Sequence, residues 1–103
     1  MVFLETSIFT RQITALLSDD EYRRLQHALL ENPAKGDVIP GGGGIRKVRF
    51  PRAGTGKSGG LRVIYYWVSS DDQILMLLAY PKNEQENLTA GQLTQLRALI
   101  KEL

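Results

Sequence analysis

The sequence predicts an α+β domain in which helices pack on a small antiparallel sheet. Three observations predict it: apolar residues recur at helical spacing near both ends of the chain, β-branched and aromatic runs lie between them, and turn-forming residues separate those runs. The element order, two helices, three strands and a final helix, favours a meander with the helices set apart from it. At 103 residues the chain is most simply one domain over residues 1–103.

Two helices are expected in the first third of the chain. Residues 2–8 could form a short edge strand or lead straight into a helix over 7–17, which would present a broad apolar face. That face would hold Ile8, Ile13, Leu16 and Leu17. The second helix has a clearer start, because S-D-D-E at 18–21 is a capping box with acids that favour the helix dipole. Asn32-Pro33 ends this second run.

Three strands and a terminal helix follow. Residues 45–50 form a short strand, and 61–68 (L-R-V-I-Y-Y-W-V) give a strong strand signal from β-branched and aromatic residues. Asp71-Asp72 makes a turn, after which 74–80 returns as an apolar strand expected to be covered on both faces. The sequence T-A-G-Q at 89–92 resembles a second capping box and opens the last helix.

Composition argues against several classes of protein. The chain has no cysteine, which excludes a disulfide framework and a thiolate metal site. The acids that adjoin one another lie at a helix start (19–21) and in a turn (71–72), with no histidine beside them, so neither a metal site nor another cofactor is predicted. The apolar runs are too short to cross a bilayer, and the first ten residues lack the basic start of a signal peptide. The expected location is therefore the cytoplasm, with no membrane partner.

One segment concentrates positive charge, although the chain as a whole carries a net charge of only +2. Between Asp37 and Asp71, in the 33 residues from 38 to 70, there are six cations and no acid. They are Arg46, Lys47, Arg49, Arg52, Lys57 and Arg62. Such a segment indicates a surface that faces a polyanion. The alternative is a solvated loop whose charge is balanced by the acids at 19–21.

The stretch R-A-G-T-G-K-S-G-G at 52–60 raises the possibility of a phosphate-cradling P-loop. That motif needs a glycine five residues before Gly56, where this chain has Pro51. It also needs a helix after the serine, where a strand is predicted. A nucleotide hydrolase is therefore not supported. We interpret the stretch as a glycine-rich connection whose Arg52 and Lys57 contact a phosphate backbone at the rim of a polyanion site.

Three blocks of sequence resemble the RelE/ParE superfamily of bacterial toxins, and within it the HigB-type RelE-like toxins. They are G-D-V-I-P-G-G-G-G-I-R-K-V-R-F, G-K-S-G-G-L-R-V-I-Y-Y-W and L-L-A-Y-P-K-N-E-Q-E-N-L-T. The resemblance runs from about Leu17 to the C-terminus. It implies an RNase-like fold, with N-terminal helices on a twisted antiparallel sheet and a C-terminal helix. It also implies cleavage of mRNA in the ribosomal A site and inhibition of translation.

The resemblance also implies catalytic residues, which fall on Lys47, Arg49, Arg62 and Lys82. Arginines can stabilise charge on the scissile phosphate as permanently charged forks. Lysine can act as a base only if its pKa is depressed, and neighbouring cations do that through repulsion, so Lys47 is the candidate base. Lys82 is interpreted as a partner for the leaving oxygen or as a phosphate clamp. The alternative is that Lys47 and Arg49 are solvent-facing strand residues and that Lys82 is a loop charge.

Further contacts to RNA or the ribosome are expected from Arg46, Arg52, Lys57, Tyr65 and Tyr80. RelE has a base-stacking tyrosine just beyond its last basic position, whereas this chain has E-Q-E-N-L-T there, with Leu88 nearest. Stacking would then come from elsewhere, such as Tyr80, which leaves the codon preference open. Tyr65 or Trp67 could also border an RNA groove. His27 is expected to be a helix-surface or packing residue rather than a general base.

Two other functions stay open at the level of sequence: a ParE-like inhibitor of DNA gyrase, and a nucleic-acid-binding module without catalysis. In either case the family implies a cognate antitoxin, expected here to be a HigA-like helix-turn-helix protein that masks the active surface. The ribosome and mRNA are the other expected partners.

Overall fold

A computed structural model describes residues 1–51 and 60–102 of the chain. The elements in order are β1 Val2–Glu5, α1 Ser7–Leu16, α2 Asp19–Glu31, β2 Asp37–Val38, β3 Arg46–Phe50, β4 Leu61–Val68, β5 Gln73–Pro81 and α3 Ala90–Lys101, with a 3-10 turn at Ser69–Asp71. The predicted α+β class is confirmed. Both predicted capping boxes are present, Ser18 with Glu21 at the start of α2 and Thr89 with Gln92 at the start of α3.

The sheet has the order β1-β5-β4-β3-β2. Strands β3 to β5 form the predicted antiparallel meander. The two-residue strand β2, which lies in a stretch predicted to be a turn, pairs antiparallel with β3, and β1 adds an edge strand that runs parallel to β5. After Glu5 the chain turns into α1. From there on, side chains of α1 and of its N-cap residue form hydrogen bonds with the backbone at the edge of β5. The Thr6 hydroxyl donates to the Leu77 carbonyl at 2.8 Å, and the Ala79 amide donates to the Gln12 side-chain oxygen at 2.9 Å. These contacts satisfy backbone groups that a longer β1 would have paired.

Helices cover the two faces of the sheet unequally. On the face that we call the helix-covered face, α1 and α2 pack through Phe9, Ile13, Leu25 and Leu29 against apolar residues of β3, β4 and β5. The apolar stripe of α1 is shifted from the predicted one, because Phe9 is fully buried while Ile8 is 48% exposed. Among the described elements, the opposite face receives only α3, through a smaller core around Leu96. Part of this second face is therefore left for polar residues.

A β-bulge in β5 decides which side chains share that second face. Ile64 pairs with Leu78, but the next residue, Tyr65, pairs with Met76, so Leu77 has no partner across the ladder. A bulge inserts one residue and reverses the alternation of side chains beyond it. As a result, Met76 packs in the core under α1 and α2, whereas Tyr80 packs on the same side as Ile64.

Candidate nucleic-acid interface

The second sheet face brings three of the predicted catalytic residues together. Arg49 on β3 pairs directly with Arg62 on β4, and Arg62 pairs directly with Tyr80 on β5. Directly paired residues point to the same side of a sheet, with Cβ atoms about 5 Å apart. Lys47 lies two residues before Arg49 and therefore shares its face. We call the surface made by Lys47, Arg49, Arg62 and Tyr80 the basic face.

Arg62 is the buried charge of the basic face, with only 3% of its surface exposed. Its one ion pair within the described residues is to Glu86, with 3.3 Å between the guanidinium Nη2 and the carboxylate Oε1. Its Nε has no hydrogen-bond partner within that part of the chain. Burying a guanidinium destabilises a fold unless its donors are hydrogen-bonded. In Arg62 the Nε donor lacks such a bond within the described residues.

The segment between β5 and α3, residues 82–89, lies against the basic face. Besides the Glu86 contact, the Lys47 ammonium donates to the Asn87 side-chain oxygen at 2.8 Å. The Gln85 side-chain amide holds the segment in place by donating to the Asn87 carbonyl at 2.8 Å and to the Gln92 side chain at 2.6 Å. Glu86 and Asn87 are absent from the predicted site residues, although the two acids in E-Q-E-N-L-T are a signal for a contact with the cations.

Arg49 differs from Arg62 because its side chain is exposed. It lines a cleft of about 340 Å³ with Lys35, Asp37, Lys47 and Val48. Three cations and one acid therefore surround this cleft. Its net positive lining suits an anionic chain that lies along β3 beside β2.

Lys82 is the first residue after β5. Its backbone amide extends the β4–β5 ladder by donating to the Gly60 carbonyl at 2.9 Å. Its side chain is half-buried and makes no hydrogen bond or ion pair within residues 1–51 and 60–102. The structure thus leaves the ammonium available for a ligand.

Tyr80 belongs to the basic face, but it cannot stack on a base as predicted. Only 5% of its surface is exposed, so its ring offers no free face. Its hydroxyl is buried without a hydrogen-bond partner among the described residues. Burial raises the pKa of this hydroxyl, the nearby Arg62 opposes that rise, and Glu86 adds to it. Tyr80 is therefore a neutral donor beside the buried arginine.

Two predicted RNA contacts, Arg46 and Tyr65, do not lie on the basic face, because their side chains point to the helix-covered face. Tyr65 is fully buried, donates to the Pro33 carbonyl at 2.7 Å and accepts from the Gly36 amide at 2.9 Å. Arg46 pairs with Tyr65 across the strands, and its Nη1 donates to the carbonyls of Gly36 at 2.8 Å and Ala34 at 3.2 Å. Both side chains hold the connection between α2 and β2. Strand alternation separates Arg46 from Lys47, its neighbour in sequence.

The predictions for the glycine-rich stretch 52–60 fall largely outside the described residues. Arg52 and Lys57, predicted to rim the site, lie in 52–59 and outside the described residues. A strand does begin at Leu61, where a P-loop would require a helix.

His27 is an exposed residue of α2, as expected. In the ranges 1–51 and 60–102, no helix is long and apolar enough to cross a membrane, and no acid or histidine cluster could hold a metal ion.

Comparison with known proteins gives one family and a related structure. The family model described as the RelE toxin of the RelE/RelB toxin–antitoxin system matches residues 2–103. Among solved structures, a double arginine-to-alanine mutant of the E. coli toxin RelE in the free state superposes with a TM-score of 0.57. The match has 14% sequence identity and covers 82% of this chain and 86% of that chain. At this identity the structural likeness supports the fold alone.

Proposed function

This chain belongs to the RelE toxin family, and on that premise we propose that it is a ribosome-dependent endoribonuclease of the HigB type. It would cleave mRNA in the ribosomal A site and so inhibit translation in the cytoplasm. The observation that carries the proposal is the convergence of Lys47, Arg49 and Arg62 on one sheet face. Cationic side chains gathered in this way can stabilise the charge that develops on a scissile phosphodiester.

The proposed reaction is an in-line attack by a ribose 2′-OH. A bond forms between the 2′-oxygen and phosphorus, the bond from phosphorus to the 5′-oxygen breaks, and the products are a 2′,3′-cyclic phosphate and a 5′-hydroxyl. Arg49 and Arg62 stabilise the charge on the non-bridging oxygens. Lys47 takes the proton from the 2′-OH, and Lys82 supplies a proton to the leaving oxygen or clamps the phosphate. Only the neutral amine form of Lys47 has the lone pair that accepts this proton, and that form can still donate one N–H to the Asn87 side-chain oxygen.

The family also implies an antitoxin partner, which we propose is a HigA-like helix-turn-helix protein. The exposed Arg49 and the partly exposed Lys47 of the basic face suit a partner segment that supplies carboxylates. The neighbouring open reading frame tests this identity: we expect it to encode a small helix-turn-helix protein that co-purifies with this chain. A neighbouring protein with no affinity for the chain would contradict the pairing.

The nuclease proposal is tested by induced expression in bacteria, with the 5′ ends of transcripts mapped on and off ribosomes. We expect new cuts within translated regions, and none in purified mRNA without ribosomes. The variants Lys47→Ala and Arg62→Ala should cut at least 100-fold less, as expected for lost electrostatic and proton-transfer groups. Thermal unfolding of the purified variants should show that they remain folded.

Matched controls are Lys101→Ala and Arg97→Ala, which remove the same charges from exposed positions on α3. Both should cut like the wild-type protein. Growth arrest with intact transcripts would contradict the nuclease proposal. Inhibition of gyrase in a supercoiling assay would then favour the ParE-like alternative, and salt-sensitive RNA binding without cleavage would favour a binding module.

A further inference from the structure

Two buried hydrogen-bond donors on the basic face have no partner within residues 1–51 and 60–102. They are the Tyr80 hydroxyl and the Arg62 Nε, and their residues are directly paired across β4 and β5. The described residues contain one other such atom, the Trp67 indole nitrogen, but that side chain packs against the core under α1 and α2. Only the Arg62–Tyr80 pair combines unsatisfied donors with a permanent positive charge.

Unsatisfied buried donors are uncommon in folded chains, because each loses its hydrogen bonds to water without replacement. Both groups of this pair can donate, and the guanidinium cannot accept. The missing ligand is therefore an acceptor, and the charge of Arg62 selects a negatively charged one. Oxygen atoms of a phosphate have the charge and the acceptor capacity that this pair lacks.

The Glu86 carboxylate is a negatively charged acceptor that already contacts Arg62. One oxygen of its carboxylate lies 3.3 Å from the Arg62 Nη2, while Nε and the Tyr80 hydroxyl have no partner in the part of the chain that the structure describes. The Glu86 side chain is 51% exposed, whereas that of Arg62 is 4% exposed. The carboxylate can thus move into water at low cost, while the guanidinium stays fixed in the sheet.

We propose that the Tyr80 hydroxyl and the Arg62 guanidinium form a two-donor site for a phosphate group, and that the Glu86 carboxylate occupies this site until RNA displaces it. Tyr80 then contacts the substrate through its hydroxyl and not through its ring. The identity of the ligand as RNA rests on the proposed function, whereas the anion site itself does not.

The anion site is tested without the ribosome by titrating the purified full chain with inorganic phosphate and following the Arg62 Nε–H signal by NMR. We expect a saturable shift in the wild-type protein. Tyr80→Phe should weaken phosphate binding about fivefold, the effect of one lost hydrogen bond. Glu86→Gln should strengthen it. Tyr22→Phe and Glu84→Gln are the matched controls, because Tyr22 packs on the helix-covered face and Glu84 is exposed in the same segment as Glu86.

The absence of a saturable shift in the wild-type protein would overturn the proposal. Equal phosphate affinity in the wild-type and Tyr80→Phe proteins would also overturn it. If Glu84→Gln strengthens binding as much as Glu86→Gln, the effect is one of net charge, and the role of Glu86 as occupant is wrong.

The role in RNA cleavage is tested with ribosomes programmed with mRNA that carries a phosphorothioate at the cleavage site. We expect Tyr80→Phe to cut more slowly, and sulfur at the oxygen that Tyr80 contacts to slow the wild-type protein more than the variant. If the wild-type protein binds phosphate but does not cut mRNA, the proposed function fails and the anion site stands. If the wild-type protein cuts and Tyr80→Phe cuts equally well, this inference fails and the proposed function stands.

Discussion

Arg49 and Arg62 stand directly opposite each other on β3 and β4, although like charges at opposed positions of a sheet repel. The sheet tolerates the pair because Arg62 contacts Glu86 while Arg49 extends into solvent. Folding alone gives no reason to place two arginines here. A local arrangement that costs stability is expected where function requires it.

Replacing Arg49 with alanine therefore should separate activity from stability. We expect Arg49→Ala to reduce mRNA cleavage on ribosomes by about 100- to 1000-fold, because a group that stabilises developing charge is lost. The free energy of unfolding, measured with urea, should stay within about 0.5 kcal/mol of the wild-type value, as is usual at exposed positions. Arg97→Ala provides the control. A large loss of stability in Arg49→Ala would show that this arginine has a structural role.

Arg46→Ala should have the opposite effect to Arg49→Ala. The Arg46 guanidinium donates to the carbonyls of Ala34 and Gly36 on the side of the sheet away from Arg49. Its removal should lower the free energy of unfolding by about 1–3 kcal/mol, the range for hydrogen bonds that involve a charged group. Cleavage, measured below the unfolding temperature, should remain close to that of the wild type. If Arg46→Ala loses cleavage while its stability is unchanged, Arg46 contacts RNA or the ribosome.

The hydroxyls of Tyr65 and Tyr80 should contribute to stability very differently. Tyr65→Phe leaves the Pro33 carbonyl and the Gly36 amide without their partner, which should cost about 1–3 kcal/mol of unfolding free energy. Tyr80→Phe removes a buried hydroxyl that has no partner in the described residues and should therefore leave the melting temperature unchanged or raise it. Thermal unfolding of the two variants in parallel tests this contrast. A lower melting temperature for Tyr80→Phe would mean that its hydroxyl is bonded in the folded protein.

Gly36 packs too tightly for any side chain. A Cβ atom at this position would lie 2.9 Å from the Lys47 carbonyl oxygen and 2.9 Å from a ring carbon of Tyr65. Gly36→Ala should therefore lower the free energy of unfolding by about 1–3 kcal/mol, as overpacked substitutions do. Gly91→Ala, whose Cβ would meet no atom within 4 Å, is the matched control and should not destabilise the protein. Equal stability of the two variants would contradict the close packing around Gly36.

The sequence predicts most of the fold because the signals concerned are local. Capping boxes at Ser18 and Thr89 and the β-branched run of β4 each lie within a few residues. The parallel pairing of β1 with β5 could not be predicted, because it joins residues about 70 positions apart, such as Val2 and Gln73. No local pattern specifies such a partner.

The site was predictable to the extent that it depends on strand alternation. Lys47 and Arg49 share a face in any regular strand, which the sequence shows directly. The face of Tyr80 depends on the bulge at Leu77, and the contact of Glu86 with Arg62 depends on how residues 82–89 fold back. Both are tertiary effects. This is why a stacking ring was predicted where the structure has a buried hydroxyl.

Alkaline pH should destabilise the protein through Tyr22. Burial and the hydrogen bond that its hydroxyl donates to Glu5 at 2.5 Å both raise the pKa of Tyr22. Below about pH 10, tyrosine is protonated in both the folded and the unfolded chain, so its contribution to stability is constant. Above that pH the unfolded chain releases the proton first, and the free energy of unfolding falls.

Urea unfolding from about pH 8 to about pH 11 tests this prediction, since an unperturbed tyrosine titrates near pH 10, within that range. The wild-type protein should be more stable than Tyr22→Phe at the lower pH values, because the variant lacks the Glu5 contact. The difference between the two proteins should then shrink as the pH rises past about 10, while lysine titration affects both equally. A difference that stays constant over the whole range would show that the folded state does not hold the Tyr22 proton.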